Sequence, residues 1–232
     1  MLGDKKVKKV GANESCHCGS GQKYKRCCAI ANKFDERHLW YNNANKITTD
    51  ENLDCRIAII YFALLDFIIG RDWRGACHPV AAIFYMILCE QGFNPKLCAG
   101  IVRVKSGHFV HSWIELNGSI YDVACAFPCE DTTKIEPIFG GKKLDTLESP
   151  KAIYGFLSSL CTENESLQAV LSSTIFDVMA KSYEKLNGEC LWSVMIYICS
   201  QTKIDFKPIS GSDFLKKYSG IRWELRDVIP IP

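Results

Sequence analysis

The chain has 232 residues, 47% of them apolar and 23% charged, with 28 Lys and Arg against 26 Asp and Glu. That balance excludes a largely disordered chain, a coiled coil and a collagen-like repeat. The outlying number is 13 cysteines, and a disulfide-dense secreted domain does not account for them, because such domains usually run to fewer than about 80 residues and lack a large apolar core. The odd count leaves at least one thiol unpaired in any disulfide scheme. The basic N-terminus MLGDKKVKKVGANES has no apolar stretch of signal-peptide length after it. The longest apolar run, Ile57 to Ile69, has 13 residues and contains Asp66, short of the roughly 20 that span a membrane. The expectation is a cytoplasmic protein without membrane contact, whose thiols call for metal or chemistry.

Residues 1–28 carry a net +5 and leave the remainder at −3, so a small basic module precedes a mildly acidic domain. Within it, CHCGSGQKYKRCC sets Cys16, Cys18, Cys27 and Cys28 in two close pairs joined by a turn. Zn²⁺ takes four soft ligands in a tetrahedron, and a short loop folding back through Gly19 and Gly21 supplies them. So small a module cannot bury enough apolar surface to fold unaided, and the metal would stabilise it. Four thiolates on Zn²⁺ sum to −2, so Lys23, Lys25 and Arg26 partly neutralise the site. The alternative is four clustered reduced thiols without metal.

Residues 14–29 resemble the SEC-C motif, a short zinc module attached to many bacterial proteins. The resemblance implies a structural Zn²⁺ held by Cys16, Cys18, Cys27 and Cys28, with His17 a solvated neighbour, in a bacterial-type protein. It assigns residues 1–30 to a module that docks a protein partner, and residues 31–232 to the main domain.

The main domain opens on helical signals. Leu53 to Ile69 is apolar along one side and Gly70 follows it; Cys77 to Gln91 is a second apolar helix, with Pro79 in its first turn and Gly92 at its end. The period then changes to strands over 96–104, 109–116 and 119–123, with Asn117-Gly118 a hairpin signal between the last two. Past Pro128, Pro137 and Gly140-Gly141, helices return: Ser149-Pro150 reads as an N-cap, Thr162 with Glu165 as a capping box, and Leu167 to Met179 as one helical face. Residues 189–200 predict another helix, and Ile221, Trp223 and Leu225 alternate as a strand does.

Cys77 begins an apolar helix, where the helix dipole and free N–H groups favour a thiolate and can bind an oxyanion. His111 lies in the strand HSWIEL and Asp122 ends its hairpin partner. Counting out from Asn117-Gly118 pairs Leu116 with Ser119 and puts His111 opposite position 124, so Asp122 is a diagonal neighbour within reach. These roles fit a thiolate–imidazolium pair with Asp122 fixing the tautomer: attack on an amide or thioester carbonyl gives an acyl-enzyme that water or an amine resolves. The alternative is a buried thiol at Cys77, as expected for Cys89 and Cys199, with His111 merely satisfied in a sheet. His108 precedes the strand and is the weaker base, while His78 reads as a substrate-side or solvated residue. Cys125 and Cys129 read as core and loop rather than as a redox pair or second metal site.

Cys at a helix start, His-x-Trp in one strand and an aromatic followed by Asp in the next resemble the transglutaminase-like superfamily, which is related to papain. Cys77, His111 with Trp113, and Tyr121 with Asp122 match that pattern. Arg74-Gly75-Ala76-Cys77 is one residue shorter than the Arg-Gly-Gly-x-Cys signature of arylamine N-acetyltransferases, which argues against acetyl-CoA chemistry. The resemblance implies an α+β fold, with an antiparallel sheet in a core over about 50–128 and a helical C-terminal part over about 146–232. It also implies a Cys77–His111–Asp122 triad acting on a protein or peptide as peptidase, deamidase or acyltransferase. A second oxyanion donor has only Trp40 and Tyr41 as positional candidates. The competing expectation is a non-catalytic adaptor binding protein, nucleic acid or ribosome through the zinc module; with the site's −2 the basic patch gives nucleic acid little support.

Overall fold

In a computed structural model of the chain the described residues are 11–15, 23–26, 28–126, 135–156, 164–182, 190–202, 204 and 210–226. They fall in two compact units, Met1–Asn42 and Asn43–Pro232. Helix α1 (Cys28–Asp50) crosses that boundary in sequence and has no apolar stripe to announce it.

In the first unit the chain doubles back. Ser15 and Lys23 form an antiparallel bridge, Tyr24 N–H donates to Glu14 O at 2.8 Å and Lys25 N–H to Ala12 O at 3.0 Å, ahead of a 3-10 turn at Tyr24–Arg26. Cys16, Cys18 and Cys27, and the side chain of Cys28, lie outside the described residues.

In the second unit α2 (Cys55–Arg71) starts where Asp54 accepts from Arg56 N–H at 2.9 Å. It passes through Gly70 and stops at Asp72, whose left-handed backbone lets its N–H cap the carbonyls of Ile68 and Ile69. Helix α3 (Cys77–Glu90) tolerates Pro79 because a first-turn N–H has no helical acceptor to lose, and Gly92, at φ +82°, follows its end. Strands β1 (Lys96–Val104) and β2 (Gly107–Leu116) pair antiparallel along their whole length, with Gly100 opposite His111. The turn to β3 (Ser119–Tyr121) has positive φ at both Asn117 and Gly118, which fixes the expected Leu116–Ser119 register. A small hairpin, β4 (Ile138–Phe139) and β5 (Lys142–Lys143), turns on Gly140 and Gly141.

Ser149-Pro150 does not start a helix. The chain enters β6 (Ile153–Tyr154), which pairs with β1 at Val102 and Arg103, and Phe156 N–H donates to Ile101 O at 2.9 Å. The free edge of β1 takes these backbone groups, which overrides the local capping signal. The helical face at 167–179 is divided between α4 (Glu165–Ser172) and α5 (Ile175–Ser182). The break is local chemistry: Thr174 N–H donates to Asp177 Oδ2 at 2.7 Å and Asp177 N–H to Thr174 Oγ1 at 3.2 Å, a reciprocal cap that starts a new helix. Asn164, accepting from Leu167 N–H at 2.9 Å, caps α4, and Thr162 lies outside the described residues. Helices α6 (Leu191–Gln201) and α7 (Gly211–Tyr218) follow, then β7 (Glu224–Leu225), which runs parallel to β1 at Cys98 and Ala99.

The result is the expected α+β arrangement, helices packed on a mainly antiparallel five-stranded sheet. Tyr61, Phe84, Tyr121 and Phe139 meet edge to face at 5.1–6.5 Å between helices and sheet, each pair adding about 0.5–1.5 kcal/mol beyond area burial. On the sheet, Val102, Trp113 and Tyr154 pack with Cys125, Ile135 and Ile138. Among the described residues no helix is long and apolar enough to cross a membrane.

Candidate active site

Cys77 is the first residue of α3 and is half-buried. His111 is 4% exposed and Asp122 1%. The two meet because β3 ends at Tyr121 while β2 continues to His111, with no strand partner on that side among the described residues. Asp122 leaves the ladder and exchanges backbone hydrogen bonds with Ile138 at 2.8 and 3.1 Å. Its side chain then swings to the uncovered ring, and His111 Nε2–H donates to Asp122 Oδ2 at 2.7 Å.

Every lone-pair direction of this carboxylate is used. Oδ1 accepts from the N–H groups of Ala124 and Cys125, both at 3.1 Å, and Oδ2 accepts a second bond from Tyr154 Oη–H at 2.7 Å. The Asp122 carbonyl takes Tyr61 Oη–H at 2.9 Å. A buried charge is tolerated only with such satisfaction. Burial first, then the neighbouring Asp122 and Cys125 groups, push both tyrosines well above their ordinary 10.0, so they remain donors.

Burial by itself would raise the Cys77 thiol. The charges of the His78 and His111 rings and hydrogen bonds from both outweigh it, bringing the thiol from 9.0 down to about 5. Burial likewise opposes a charge on His111, yet Asp122 and the Cys77 thiolate hold its proton, moving it from 6.5 up to about 10. With Nε2 given to Asp122, Nδ1 is the ring nitrogen left for Cys77. The favoured state at neutral pH is a thiolate–imidazolium pair, arising from the fields of named neighbours.

The other expectations resolve differently. His78 is half-buried rather than free in solvent: Nδ1 lies 2.7 Å from Ser112 Oγ, and the ring stands edge-on to Trp223 at 6.4 Å between centroids. His108 is exposed, paired across the sheet with Arg103. Cys199 is buried as expected, and burial pushes its thiol to about 12; Cys89 is only half-buried, though burial still pushes its thiol up. Cys125 is buried, its thiol directed at the carbonyls of Asp122 and Glu136, both at 3.3 Å. Cys129 lies outside the described residues, and Trp40 and Tyr41 belong to the first compact unit. A cavity of about 10 Å³, at the limit for one water, lies against Cys77 over Val80, Ala81 and Phe84. Among the described residues no group of three or more His, Cys, Asp or Glu is arranged to hold a metal.

Two members of the site were not foreseen. Ser112 had a usable signal, since strand alternation turns it away from its neighbours His111 and Trp113. Tyr154 had none, because it arrives from a segment whose local signal is helical.

The class these parts define is an α+β domain in which a helix-start cysteine, a strand histidine and a buried aspartate converge. Residues 63–134 match the family model described as Transglutaminase-like superfamily, and residues 13–29 match that of the SEC-C motif, in the expected order. No curated protein and no solved structure matches the chain.

Proposed function

We propose that the protein is a cysteine-dependent enzyme acting on amide or thioester groups of a protein or peptide. The carrying observation is the 2.7 Å bond between His111 and Asp122 behind a thiol whose acidity is raised by the His78 and His111 rings. In this reading the Cys77 thiolate adds to the substrate carbonyl, and N–H groups at the start of α3 receive the oxyanion. His111 then delivers its proton to the departing amine, leaving an acyl-enzyme. Neutral His111 takes a proton from the incoming water or amine, which makes the protein a peptidase, deamidase or acyltransferase according to the acceptor. The free thiols at Cys55, Cys77, Cys89, Cys98, Cys125, Cys190 and Cys199 support work in a reducing, cytoplasmic setting.

For the N-terminal unit we propose a structural Zn²⁺ on Cys16, Cys18, Cys27 and Cys28, in a module that docks a protein partner. The donor set suits zinc, and the Ser15–Lys23 bridge ties the residue before Cys16 to the middle of the loop that leads to Cys27.

The test is competitive alkylation. Iodoacetamide at limiting concentration and neutral pH labels Cys77 ahead of the exposed Cys55, and Cys77→Ala abolishes turnover while the melting transition persists. Uniformly slow labelling of all thiols overturns the reading.

A further inference from the structure

The site contains two imidazoles where one nucleophile needs only one. His111 is committed on both sides, to Asp122 and to Cys77. His78 is the next residue after the nucleophile on α3, with Nδ1 held 2.7 Å from the buried Ser112 hydroxyl and its ring braced against Trp223. Trp40 and Tyr41, the oxyanion donors expected from position, belong to the other compact unit.

We propose that His78 is a further catalytic residue: with Ser112 fixing Nδ1, the His78 Nε2–H donates first to the Cys77 sulfur and then to the oxyanion that forms on attack. This rests on the reading of Cys77 as nucleophile. Ser112 Oγ, 2.7 Å away, occupies Nδ1 and leaves Nε2 as the ring nitrogen that can donate toward Cys77. The hydrogen bond from His78, which helps lower the thiol, fits a donor aimed at sulfur.

The charge balance explains why a donor at this place serves both states. As the sulfur lone pair forms the S–C bond, the carbonyl π pair moves onto oxygen, so the negative charge passes from sulfur to an atom two bonds away. The N–H that stabilised the thiolate then serves the oxyanion and keeps its proton throughout. When the intermediate collapses, the oxygen pair restores C=O, the C–N bond breaks, and the proton on the leaving amine comes from His111.

Three variants test this, each checked by thermal melting. H78L removes the donor and keeps bulk, H78Q keeps an N–H, and S112A leaves the ring in place but releases Nδ1 from its partner. Two reactions at Cys77 are followed against pH: alkylation by iodoacetamide, which develops no oxyanion, and the acylation burst with p-nitrophenyl acetate, which does. H78L is expected to move the alkylation profile to higher pH and, at matched thiolate fraction, to slow the burst by about 10²-fold. H78Q should retain the burst within about tenfold of the unmodified protein, with S112A between. A burst in folded H78L equal to that of the unmodified protein overturns the proposal, as does an equal loss in H78L and H78Q. Should H78L fail to fold, an unchanged burst in S112A overturns it. If Cys77 of the unmodified protein alkylates no faster than Cys55, the nucleophile reading itself fails, a result distinct from both.

Discussion

Tyr154 donates its hydroxyl to Oδ2 of Asp122, the same oxygen that His111 holds, each at 2.7 Å. A residue of β6 thus sets the position of a carboxylate 32 positions earlier in the chain. Tyr154→Phe keeps the ring packed on Trp113, 5.0 Å between centroids, and removes that one donor. The expected cost is about 1–3 kcal/mol in thermal or urea melting, the range for losing a bond to a buried charge. Preferential alkylation of Cys77 should persist, since His111 retains its carboxylate.

Asp122→Asn is a different experiment. The amide carries no charge to hold the His111 proton, so the imidazolium weakens and the Cys77 thiol returns toward its ordinary 9.0. The midpoint of the alkylation-versus-pH curve is expected to rise by at least about one unit, a tenfold loss of rate on the acid side. An unmoved midpoint would remove Asp122 from its place behind His111.

The two titrations also shape stability against pH. Between about 6.5 and about 9 the folded and unfolded chains each bind one proton on the Cys77–His111 pair, so the pair contributes no slope. Below 6.5 the unfolded imidazole gains a proton while the folded thiolate takes none until about 5, so stability falls as pH drops through that window. Above 9.0 the unfolded thiol loses its proton while folded His111 keeps its own to about 10, so stability falls as pH rises. Urea melts from pH 5 to 10 should show the plateau. Cys77→Ser, which removes the thiol titration, should replace it by a slope falling with pH from about 6.5 upward.

Gly100 and Gly155 permit the last strand to lie against the sheet. A Cβ on Gly100 would stand 2.7 Å from Arg226 O, and one on Gly155, already at φ +73°, 2.8 Å from the same atom. Gly100→Ala must therefore displace backbone and strain the Arg226 N–H to Ala99 O bond of 2.9 Å. A loss of about 1–3 kcal/mol is expected, read as a lower melting temperature; Gly220→Ala, with nothing within 4 Å, is the control.

For the N-terminal unit the measurement is metal content. The purified chain should carry about one Zn²⁺, and Cys16→Ser and Cys27→Ser should each lower that stoichiometry. Unchanged content in both would remove the site.

The parts legible in the sequence were those fixed by local chemistry. Asn117-Gly118 dictated the Leu116–Ser119 register, and that register carried Asp122 toward His111. Cys77 was marked by its place before an apolar helix with Pro79 in the first turn. What could not be read depended on partners distant in the chain. Tyr154 meets Asp122 only because β6 pairs with β1, and no local pattern at Ser149-Pro150 announces a strand. The contact of His78 with Ser112 spans 34 positions and needs α3 packed on β2. The division between α4 and α5 was legible in principle, since Thr174 and Asp177 have capping spacing, but the apolar face runs on across it.

Four separate segments converge on Asp122: Tyr61 from α2, His111 from β2, the N–H groups of Ala124 and Cys125, and Tyr154 from β6. The reactivity of Cys77 is consequently a property of completed tertiary structure and not of its own stretch of chain. Before these segments assemble, during synthesis or after a local opening, the thiol has ordinary acidity and is only a few per cent ionised at neutral pH. It then reacts no faster than the other cysteines among the thirteen. In the proposed reading, the thiol gains its acidity only once these segments have assembled and loses it when they part.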